Sequence, residues 1–441
     1  MTTTTTPRSA LRLFFGGVAS ALLLVACGGG VSPNAGKVRL VNATSEFGAL
    51  DLYERSDRLT AGVAAITAGG YEDRDKGDYT FSVRGGVAGA TIATLVATLA
   101  KDSHLSLVAY SNAGTPALAA VGEEDDRPDK GTAKLRFFNT ASSDSGAIDA
   151  YLIASTGDCA ALSTATAVAT AISGLQTAFT AINPSATTPY RLCVTAAGDR
   201  TDLRLDADLT VGDREVVTVI LTRTAGAVLL NGMVLVQQGA VTSVANGFAR
   251  VRLAVGTTAG PVTATFGTTS LGTSLAAPSL GAYRLVKVTT PATDPFVAVP
   301  GFTVTLPTGT IAGGGDYTLL VADTATPGTV AAALLPDDNA RSTNGAKPVK
   351  IRIVHGANNA NDASLSVGSD FIGSVARGTE SAYILTEASG AAATLIEVTA
   401  GGVKLCGGTA TLSAAPTVYS VFVLGTLPAT PLGACILRAD R

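Results

Sequence analysis

The sequence lacks tryptophan altogether, and its 441 residues include only two histidines and 5% aromatic side chains. His104 and His355 lie far apart in the chain, which excludes a metal site built from neighbouring histidines. A sugar-binding groove usually presents Trp or clustered Tyr, whereas the ten tyrosines are scattered. Charged residues reach only 15%, with 31 basic and 34 acidic side chains interspersed, so the concentrated basic surface of a nucleic-acid-binding protein is also excluded.

The abundant residues favour strands over helices. Hydrophobic residues make up 46% of the chain, and glycine occurs 49 times. With so few aromatic rings, the cores must be built from Val, Leu, Ile, Ala and the methyl groups of Thr, in short strands between frequent turns. The length is sufficient for several domains.

The first 26 residues have the features of a signal peptide. Arg8 and Arg12 precede an apolar run, residues 13–26, that is too short to cross a bilayer comfortably. The run ends in LVAC, which resembles a bacterial lipobox and implies cleavage before Cys27 and lipidation of its thiol. The alternative is a plain secretory signal followed by an incidental cysteine. Gly28, where an Asp would retain such a protein at the inner membrane, favours the outer membrane.

A short motif with two cations recurs four times. It reads KVRLVN at 37–42, KLRFFN at 134–139, RVRLAV at 250–255 and KIRIVH at 350–355. A period of about 100 residues is too long for a propeller blade or a solenoid turn, and it matches one β-sandwich domain. The central arginines of the four motifs are Arg39, Arg136, Arg252 and Arg352.

Each repeat continues in a similar way. A second strand-like segment ends fourteen or fifteen residues after the arginine, at Tyr53, Tyr151, Phe266 and Val367. Each repeat closes with two β-rich runs around a Gly- or Pro-containing turn, which is typical of a hairpin. The sequence therefore predicts an all-β protein, a tandem array of four immunoglobulin-like β-sandwich domains after a lipoprotein signal peptide.

The repeats set the predicted boundaries. These are a signal peptide at 1–26, a lipidated Cys and flexible tether at 27–36, and sandwiches at 37–128, 129–242, 243–342 and 343–441, called units 1 to 4 below. Linkers are expected near Arg127 to Lys130, Thr242 to Asn246 and Arg341 to Lys347. Only units 1 and 3 end in acidic runs, which suggests two pairs of units.

The alternation within the motif predicts how the first strand faces. Neighbouring residues of a strand point to opposite sides, so the aliphatic residues are expected in the core and the cations on a solvent face. The predicted core residues are Val38, Leu40, Ile351 and Ile353, and the predicted surface residues are Lys37, Arg39, Lys350 and Arg352. We interpret this as an edge strand whose cations discourage aggregation. A basic groove for anions is the functional alternative.

The opening GKVRLVNAT…GALDLY, echoed by GTAKLRFFNTA…GAIDAY, resembles the bacterial envelope family DUF4397, a domain of unknown function. Both stretches keep the acidic residue of the second strand, Asp51 and Asp149. Unit 4 keeps only the first strand of the pattern, and unit 3 is the most divergent, although we expect the resemblance to extend over nearly all of the mature chain. The resemblance implies repeated β-sandwiches in a secreted or lipid-anchored protein, and it implies no activity.

Apart from Cys27, four cysteines remain, two in unit 2 and two in unit 4. An even number, two to a domain, in an exported chain predicts the intradomain disulfides Cys159–Cys193 and Cys406–Cys435. A metal site is a weak alternative because no CxxC is present and each pair would need two further ligands.

Catalytic motifs are missing from the mature sequence: we find no GxSxG, HExxH, Walker A or GxGxxG. His355 occupies the position of Asn42 and Asn139 at the end of the first strand, where a hydrogen-bonding role is expected of all three. The acidic runs could hold calcium between domains, with candidate ligands Asp125, Asp126, Asp337 and Asp338, although solvated carboxylates are the simpler interpretation.

These observations predict a non-enzymatic, lipid-anchored protein of the cell envelope that acts as a structural spacer, adhesin or assembly scaffold. It would need no cofactor, would contact the membrane through its lipid and an envelope or surface protein as partner, and would not bind nucleic acid. The alternative is a ligand-binding module that grips a peptide, glycan or calcium ion with loops at one end of the sandwiches. A hydrolase with an unrecognised Ser or Asp centre is the remaining alternative.

Overall fold

The computed structural model describes residues 32–85, 89–112, 115–185, 187–289, 295–307, 310–342, 344–426 and 435–441. The predicted signal peptide and Cys27 lie outside these residues. The described chain forms eight sheets and, in these ranges, a single short helix. The sheets pack as four β-sandwiches in tandem, so the predicted fold class is confirmed.

The first two units contain eighteen strands and the helix. In unit 1 these are β1 Ala35–Asn42, β2 Ala49–Glu54, β3 Asp57–Ala64, β4 Thr67–Ala68, β5 Glu72–Asp75, β6 Gly77–Gly85, β7 Ala90–Leu99, β8 His104–Asn112 and β9 Thr115–Gly122. In unit 2 they are β10 Ala133–Asn139, α1 Ser142–Ser145, β11 Ile148–Ala154, β12 Ala167–Ile172, β13 Thr180–Ile182, β14 Tyr190–Ala196, β15 Asp199–Leu209, β16 Val216–Arg223, β17 Leu230–Val236 and β18 Val241–Val244.

The last two units repeat the arrangement. Unit 3 has β19 Phe248–Val255, β20 Val262–Phe266, β21 Thr269–Leu275, β22 Ser279–Leu280, β23 Arg284–Lys287, β24 Pro295–Ala298, β25 Val304–Thr305, β26 Asp316–Asp323 and β27 Val330–Asp337. Unit 4 has β28 Val349–Ala357, β29 Asp362–Val367, β30 Asp370–Ala376, β31 Thr379–Glu380, β32 Ile384–Thr386, β33 Thr394–Ala400, β34 Val403–Ala410, β35 Thr417–Gly425 and β36 Cys435–Ala439.

The strand that carries the repeated motif lies inside its sheet, not at the edge. In unit 1 the order is β4-β1-β8-β9, and β1 pairs in parallel with β8, the first strand of the closing hairpin. The same parallel pairing joins β10 to β16, β19 to β26 and β28 to β35. The edge-strand interpretation was therefore wrong, because short antiparallel strands such as β4 and β5 cover the other side of β1. The sheet with the motif strand is called the inner sheet of its unit.

The second sheet of each unit, called the outer sheet, is antiparallel. Its order is β3-β2-β6-β7 in unit 1, β12-β11-β14-β15 in unit 2, β21-β20-β24 in unit 3 and β30-β29-β33-β34 in unit 4. The core of each unit lies between its inner and outer sheets. Val38, Leu40, Ile351 and Ile353 are all fully buried in these cores, as the alternation predicted.

The other face of the inner sheet is also covered, because the units pack in pairs. An apolar cluster joins the inner sheets of units 1 and 2, with Val41 and Val108 on one side and Phe138 and Ile220 on the other. A second cluster joins units 3 and 4. Units 1 and 2 are called pair one, and units 3 and 4 pair two. The face expected to meet solvent therefore meets another sandwich.

The junction between the two pairs is not a free linker. The strand β18 occupies much of the stretch expected to be one, pairing with β17. The side-chain amide of Asn246 donates to the carbonyl oxygens of Arg204 and Leu230, at 2.8 and 2.9 Å, and its Oδ1 accepts from the N–H of Phe248. The middle linker prediction was wrong because Thr242 to Val244 belong to the last strand of unit 2 and Asn246 after it is buried.

Candidate functional site: a buried arginine seam

The central arginine of every motif makes the same contact inside its own unit. Parallel pairing places each of them directly opposite a hydroxyl residue of the hairpin strand. In all four units the arginine Nε lies at hydrogen-bond distance from that hydroxyl oxygen. The pairs are Arg39–Ser106 at 2.7 Å, Arg136–Thr218 at 2.8 Å, Arg252–Thr318 at 2.9 Å and Arg352–Ser420 at 3.2 Å.

An aromatic ring covers each of these guanidinium groups. The rings are Tyr71, Phe179, Tyr283 and Tyr383, with the guanidinium carbon 4.3 to 4.6 Å from the ring centre. Each ring precedes the short antiparallel strand beside the motif strand, so it occupies the same place in every unit. Stacking of a cation on a ring face offsets part of the cost of removing the charge from water.

One more residue completes the arrangement in each unit. It lies two residues after the residue of the second hairpin strand that pairs with the hydroxyl residue. It is Glu123 in unit 1, Gln237 in unit 2, Asp337 in unit 3 and Asp440 in unit 4. In the three acidic cases the neighbouring hydroxyl donates to the carboxylate. We call the four arginines with these hydroxyl, aromatic and acidic partners the arginine seam.

Pair two exchanges its charges between units. Arg252 of unit 3 binds the carboxylate of Asp440 in unit 4, and Arg352 of unit 4 binds the carboxylate of Asp337 in unit 3. Arg352 also donates to the carbonyl oxygen of Pro336, at 2.9 Å. Both guanidinium groups are 1% exposed. Removal of one partner of a buried ion pair leaves the other charge uncompensated. The two ion pairs therefore hold units 3 and 4 in one register.

Pair one keeps the one close ion pair of its seam inside unit 1. Arg39 binds Glu123 at 3.0 Å and reaches unit 2 only through the carbonyl oxygen of Gly239, at 2.6 Å. Arg136 of unit 2 donates to the carbonyl oxygen of Gly122 in unit 1, at 2.9 Å. Desolvation lowers the pKa of Arg136, although nearby acidic groups oppose the shift. The seam contacts across pair one are therefore charge-to-dipole contacts, and the ion pairs that cross it, Lys134–Asp125 and Arg223–Glu46, lie outside the seam.

The surface role predicted for the motif cations was wrong for three of the four. Arg39, Lys350 and Arg352 are buried, because the face they occupy packs against the partner unit of the pair. Lys37 alone remains well exposed, at 43%, and binds Asp73 at 2.8 Å. A basic groove for anions is not formed, since carboxylates, hydroxyls and carbonyl oxygens already surround the guanidinium groups.

Burial raises the pKa of all three seam tyrosines, Tyr71, Tyr283 and Tyr383, and two of them donate to seam carboxylates. Tyr71 donates to Glu123 at 2.8 Å, and Tyr283 donates to Asp337 at 2.6 Å. Burial raises the pKa of both phenols well above the ordinary value, and the negative charge of Glu123 adds to the shift at Tyr71. Both phenols therefore stay neutral donors to the seam carboxylates.

The calcium candidates are engaged with cations. Asp125 binds Lys134 at 2.7 Å, and the carbonyl oxygen of Asp126 accepts from the same ammonium group. Asp338 binds Lys350 at 2.6 Å, and Asp337 belongs to the seam. Within the described ranges, no three His, Cys, Asp or Glu side chains are arranged to hold a metal ion.

The residues at the ends of the motif strands hold loops by hydrogen bonds, the role expected of them. Asn42 donates to the carbonyl oxygens of Phe47 and Val63, at 3.2 and 3.1 Å. Asn139 makes the corresponding bonds in unit 2. His355 in unit 4 has Nε2 3.1 Å from the carbonyl oxygen of Ala360, and burial lowers its pKa.

The acidic residues of the second strand clamp a backbone irregularity. Asp51 accepts from the N–H of Gly62 at 2.7 Å, and Asp149 accepts from the N–H of Ala171 at 2.8 Å. Gly62 and Ala171 both have positive φ, at a break in strand register. A carboxylate that holds a β-bulge is a structural device, not a catalytic one.

Both predicted disulfides are confirmed. Cys159 is bonded to Cys193 and Cys406 to Cys435, with Cα atoms 5.5 and 6.0 Å apart. The first links the segment after β11 to β14, and the second links the outer sheet of unit 4 to the last strand of its inner sheet. The lipidation predicted at Cys27 falls outside the described residues.

Several seam residues were missed at the level of sequence, although their signals were present. A Ser or Thr interrupts an otherwise apolar hairpin strand in each repeat, as in HLSLVAY and YTLLVA. An acidic residue follows the hairpin in units 1, 3 and 4. A polar residue repeated in the middle of a buried strand indicates a partner for it, and the motif arginine was the available candidate.

The comparison with protein families identifies the first part of the chain. Residues 36–151 match DUF4397, the domain of unknown function. The resemblance based on the opening motifs is thus confirmed over unit 1 and into β11 of unit 2. Units 3 and 4 lie beyond the matched segment, although they have the arginine, hydroxyl and aromatic residues of unit 1 at the corresponding positions.

The other comparisons are distant. No curated protein matches the chain. Among solved structures, the CBMbc module (family CBM26) of Eubacterium rectale Amy13K in complex with maltoheptaose is 10% identical, with 47% of this chain and 97% of that chain covered and a TM-score of 0.16. The Bacillus anthracis TIE protein is 9% identical, with 86% and 66% covered and a TM-score of 0.14. These TM-scores are too low to relate the chain to either structure.

Across the residues that the structure describes, no helix is long and apolar enough to cross a membrane.

Proposed function

We propose that this protein is a non-enzymatic, lipid-anchored component of the cell envelope, whose four sandwiches form a stiff spacer or assembly scaffold. The observation that carries the proposal is the arginine seam. It directs the repeated arginines of the motif, and in pair two their carboxylate partners, into contacts between units instead of toward a ligand.

The packing between units supports a stiff body. Flexible arrays expose linkers and have small, polar interfaces between domains. Here an apolar cluster lies beside the seam in each pair, and Asn246 is buried at the junction of the pairs. Arg441 of unit 4 also donates to the carbonyl oxygen of Ala227 in unit 2. Each contact restricts a motion that a hinged chain would retain.

The anchor is the second part of the proposal, motivated by the LVAC stretch. We propose that the thiol of Cys27 carries lipid at the envelope, with the outer membrane favoured by Gly28. Cys27→Ser should abolish lipid labelling and release the protein from the membrane fraction. A variant that stays fully membrane-associated would contradict the anchor without affecting the proposal of stiffness.

Stiffness can be measured on the full chain in membranes. Spin labels at Asp57→Cys in unit 1 and Val403→Cys in unit 4, both at exposed positions, report the distance across the whole array. Dilution with unlabelled protein removes distances between copies. A spacer predicts one narrow distance distribution. A broad distribution, with a matched pair of labels inside one unit remaining narrow, would show that the units move independently and would overturn the proposal.

A further inference from the structure

The outer edge of unit 1 is built unlike the outer edges of the other units. The strand β7, Ala90–Leu99, is the last in its sheet and contains ten residues, none of them charged and none of them Pro or Gly. Its single break in register lies beside Arg84, which leaves Ala93 to Leu99 regularly paired. The exposed face of this stretch consists of Thr94, Val96 and Thr98, with Val96 72% exposed.

The corresponding edges elsewhere are protected. The strand β15 of unit 2 has six charged residues in eleven. The strand β34 of unit 4 has Lys404 and two glycines, and its Cys406 is bonded to the neighbouring sheet. The last outer strand of unit 3, β24, has four residues and begins with Pro295. Charge, proline, short length and irregularity are the usual devices that stop a sheet edge from pairing with another chain.

The neighbouring inner edge of unit 1 is already capped. The side chain of Gln176 in unit 2 donates to the carbonyl oxygen of Ala120 in β9, at 2.8 Å, and Arg136 donates to that of Gly122. The strand β7 packs beside β9 without a hydrogen bond to it, and among the described residues it receives no hydrogen bond from unit 2. The open edge on this side of unit 1 is therefore the outer one.

We propose that β7 pairs with β7 of a second copy of this chain, so that two outer sheets join into one continuous eight-stranded sheet. The register of the strand fits a two-fold axis. An antiparallel pair centred on Val96 places Val96 opposite Val96 and Thr94 opposite Thr98 on the exposed face. It places Leu95 opposite Ala97 on the core face. Like side chains meet on each face, as an isologous interface requires.

A self-paired edge needs no ligand and no enzyme activity, so the inference does not depend on the proposed function. The chemistry of the strand also favours a second copy as the partner. Because β7 carries no charge, it offers none to an acidic or basic peptide, whereas a second β7 matches its uncharged side chains. When the two-fold axis through unit 1 is perpendicular to a surface, the amino-terminal segments of both copies lie on the same side of the dimer.

The test uses the full chain in expressing cells. Residues directly opposite each other in antiparallel strands have Cβ atoms about 4.5–5.5 Å apart. Val96→Cys should therefore give a reducible dimer on a non-reducing gel. Leu395→Cys is the matched control, because Leu395 is an exposed apolar residue on β33, an interior strand of unit 4. Equal cross-linking of the two variants would overturn the proposal.

Sedimentation of the detergent-solubilised chain provides the second arm. The wild type should sediment as a dimer, and Val96→Lys, which places two cations at the two-fold axis, should weaken dimerisation at least about tenfold. Leu395→Lys should leave the dimer intact. A monomeric wild type, or a dimer that Val96→Lys does not weaken, would show that β7 is not the interface.

Discussion

Pair one and pair two have the same packing, but they use charge differently. In both pairs an apolar cluster joins the inner sheets, and each motif arginine binds a hydroxyl and an aromatic ring. In pair two the seam arginines and carboxylates cross reciprocally between units. In pair one the seam ion pair stays within unit 1, and only the partly exposed pairs Lys134–Asp125 and Arg223–Glu46 cross. The apolar cluster thus brings two sandwiches together, and the acidic residues determine how strongly their register is held.

One position accounts for most of the difference. Asp440 of unit 4 corresponds to Gln237 of unit 2, which binds the backbone of Asp125 at 2.7 Å instead of an arginine. A neutral amide at this position leaves Arg136 with hydroxyl and carbonyl partners. Buried ion pairs contribute little net stability, but the loss of one partner is costly, so pair two should be the less tolerant of substitution.

The largest expected effect is at Arg352. Arg352→Thr should lower the stability of β28 by about 3–5 kcal/mol, because it leaves the buried carboxylate of Asp337 without its closest cation. Arg136→Thr in pair one should cost less, about 1.5–3 kcal/mol, the value of hydrogen bonds to a charged group, because no carboxylate is left buried and unpaired. Hydrogen exchange of peptides from the two motif strands measures both effects locally, since a four-unit chain need not unfold in one step.

Ile351→Ala provides the reference for the same strand, at about 2–5 kcal/mol for a large-to-small change in a core. If Arg352→Thr cost less than about 0.5 kcal/mol, as expected of a surface residue, the guanidinium would be solvated and the seam of pair two would not exist.

A cut linker should separate pair one more easily than pair two. Trypsin can cut after the exposed Lys130 in pair one and the exposed Arg341 in pair two, whereas Arg127 and Lys347 each precede a proline and resist cleavage. Each cut lies within a pair, so the fragments should remain together through the apolar cluster and the seam. In increasing urea, the fragments of pair one should separate first on gel filtration, because the ion pairs that cross their interface, Lys134–Asp125 and Arg223–Glu46, are partly exposed, whereas those of the seam in pair two are buried. Separation of pair two at the lower urea concentration would reverse the comparison.

Alkaline pH should weaken both pairs by a smaller amount. The pKa values of Tyr71 and Tyr283 are raised by burial, so folding favours the neutral phenols. Their contribution is present below pH about 10, the ordinary pKa of tyrosine, and is lost as pH rises through the raised pKa. Absorbance titration should show these two phenols ionising last, and Tyr71→Phe or Tyr283→Phe should cost about 0.5–1.5 kcal/mol at neutral pH. Ionisation of all tyrosines near pH 10 would show that the seam is open to water.

Much of the fold followed from the sequence, because local patterns determine strands and turns. The four repeats, the closing hairpins, the core residues such as Ile351 and both disulfides were predictable in this way. The environment of Arg352 was not, because a period of two shows that neighbouring residues face opposite ways without showing what covers each face. The cover comes from another unit about 100 residues away, and the parallel pairing that makes the motif strand central has no local signature.

The most direct test of the seam is a double-mutant cycle on Arg252 of unit 3 and Asp440 of unit 4, with Arg252→Met and Asp440→Leu measured by hydrogen exchange in β19 and β35. The exposed pair Lys404 and Glu397, 3.0 Å apart within the outer sheet of unit 4, is the control and should couple by less than about 1 kcal/mol. The account predicts that Arg252 and Asp440 couple by about 1–3 kcal/mol, with the double variant more stable than either single one. Additive effects, within about 0.3 kcal/mol, would contradict an ion pair that joins the two units.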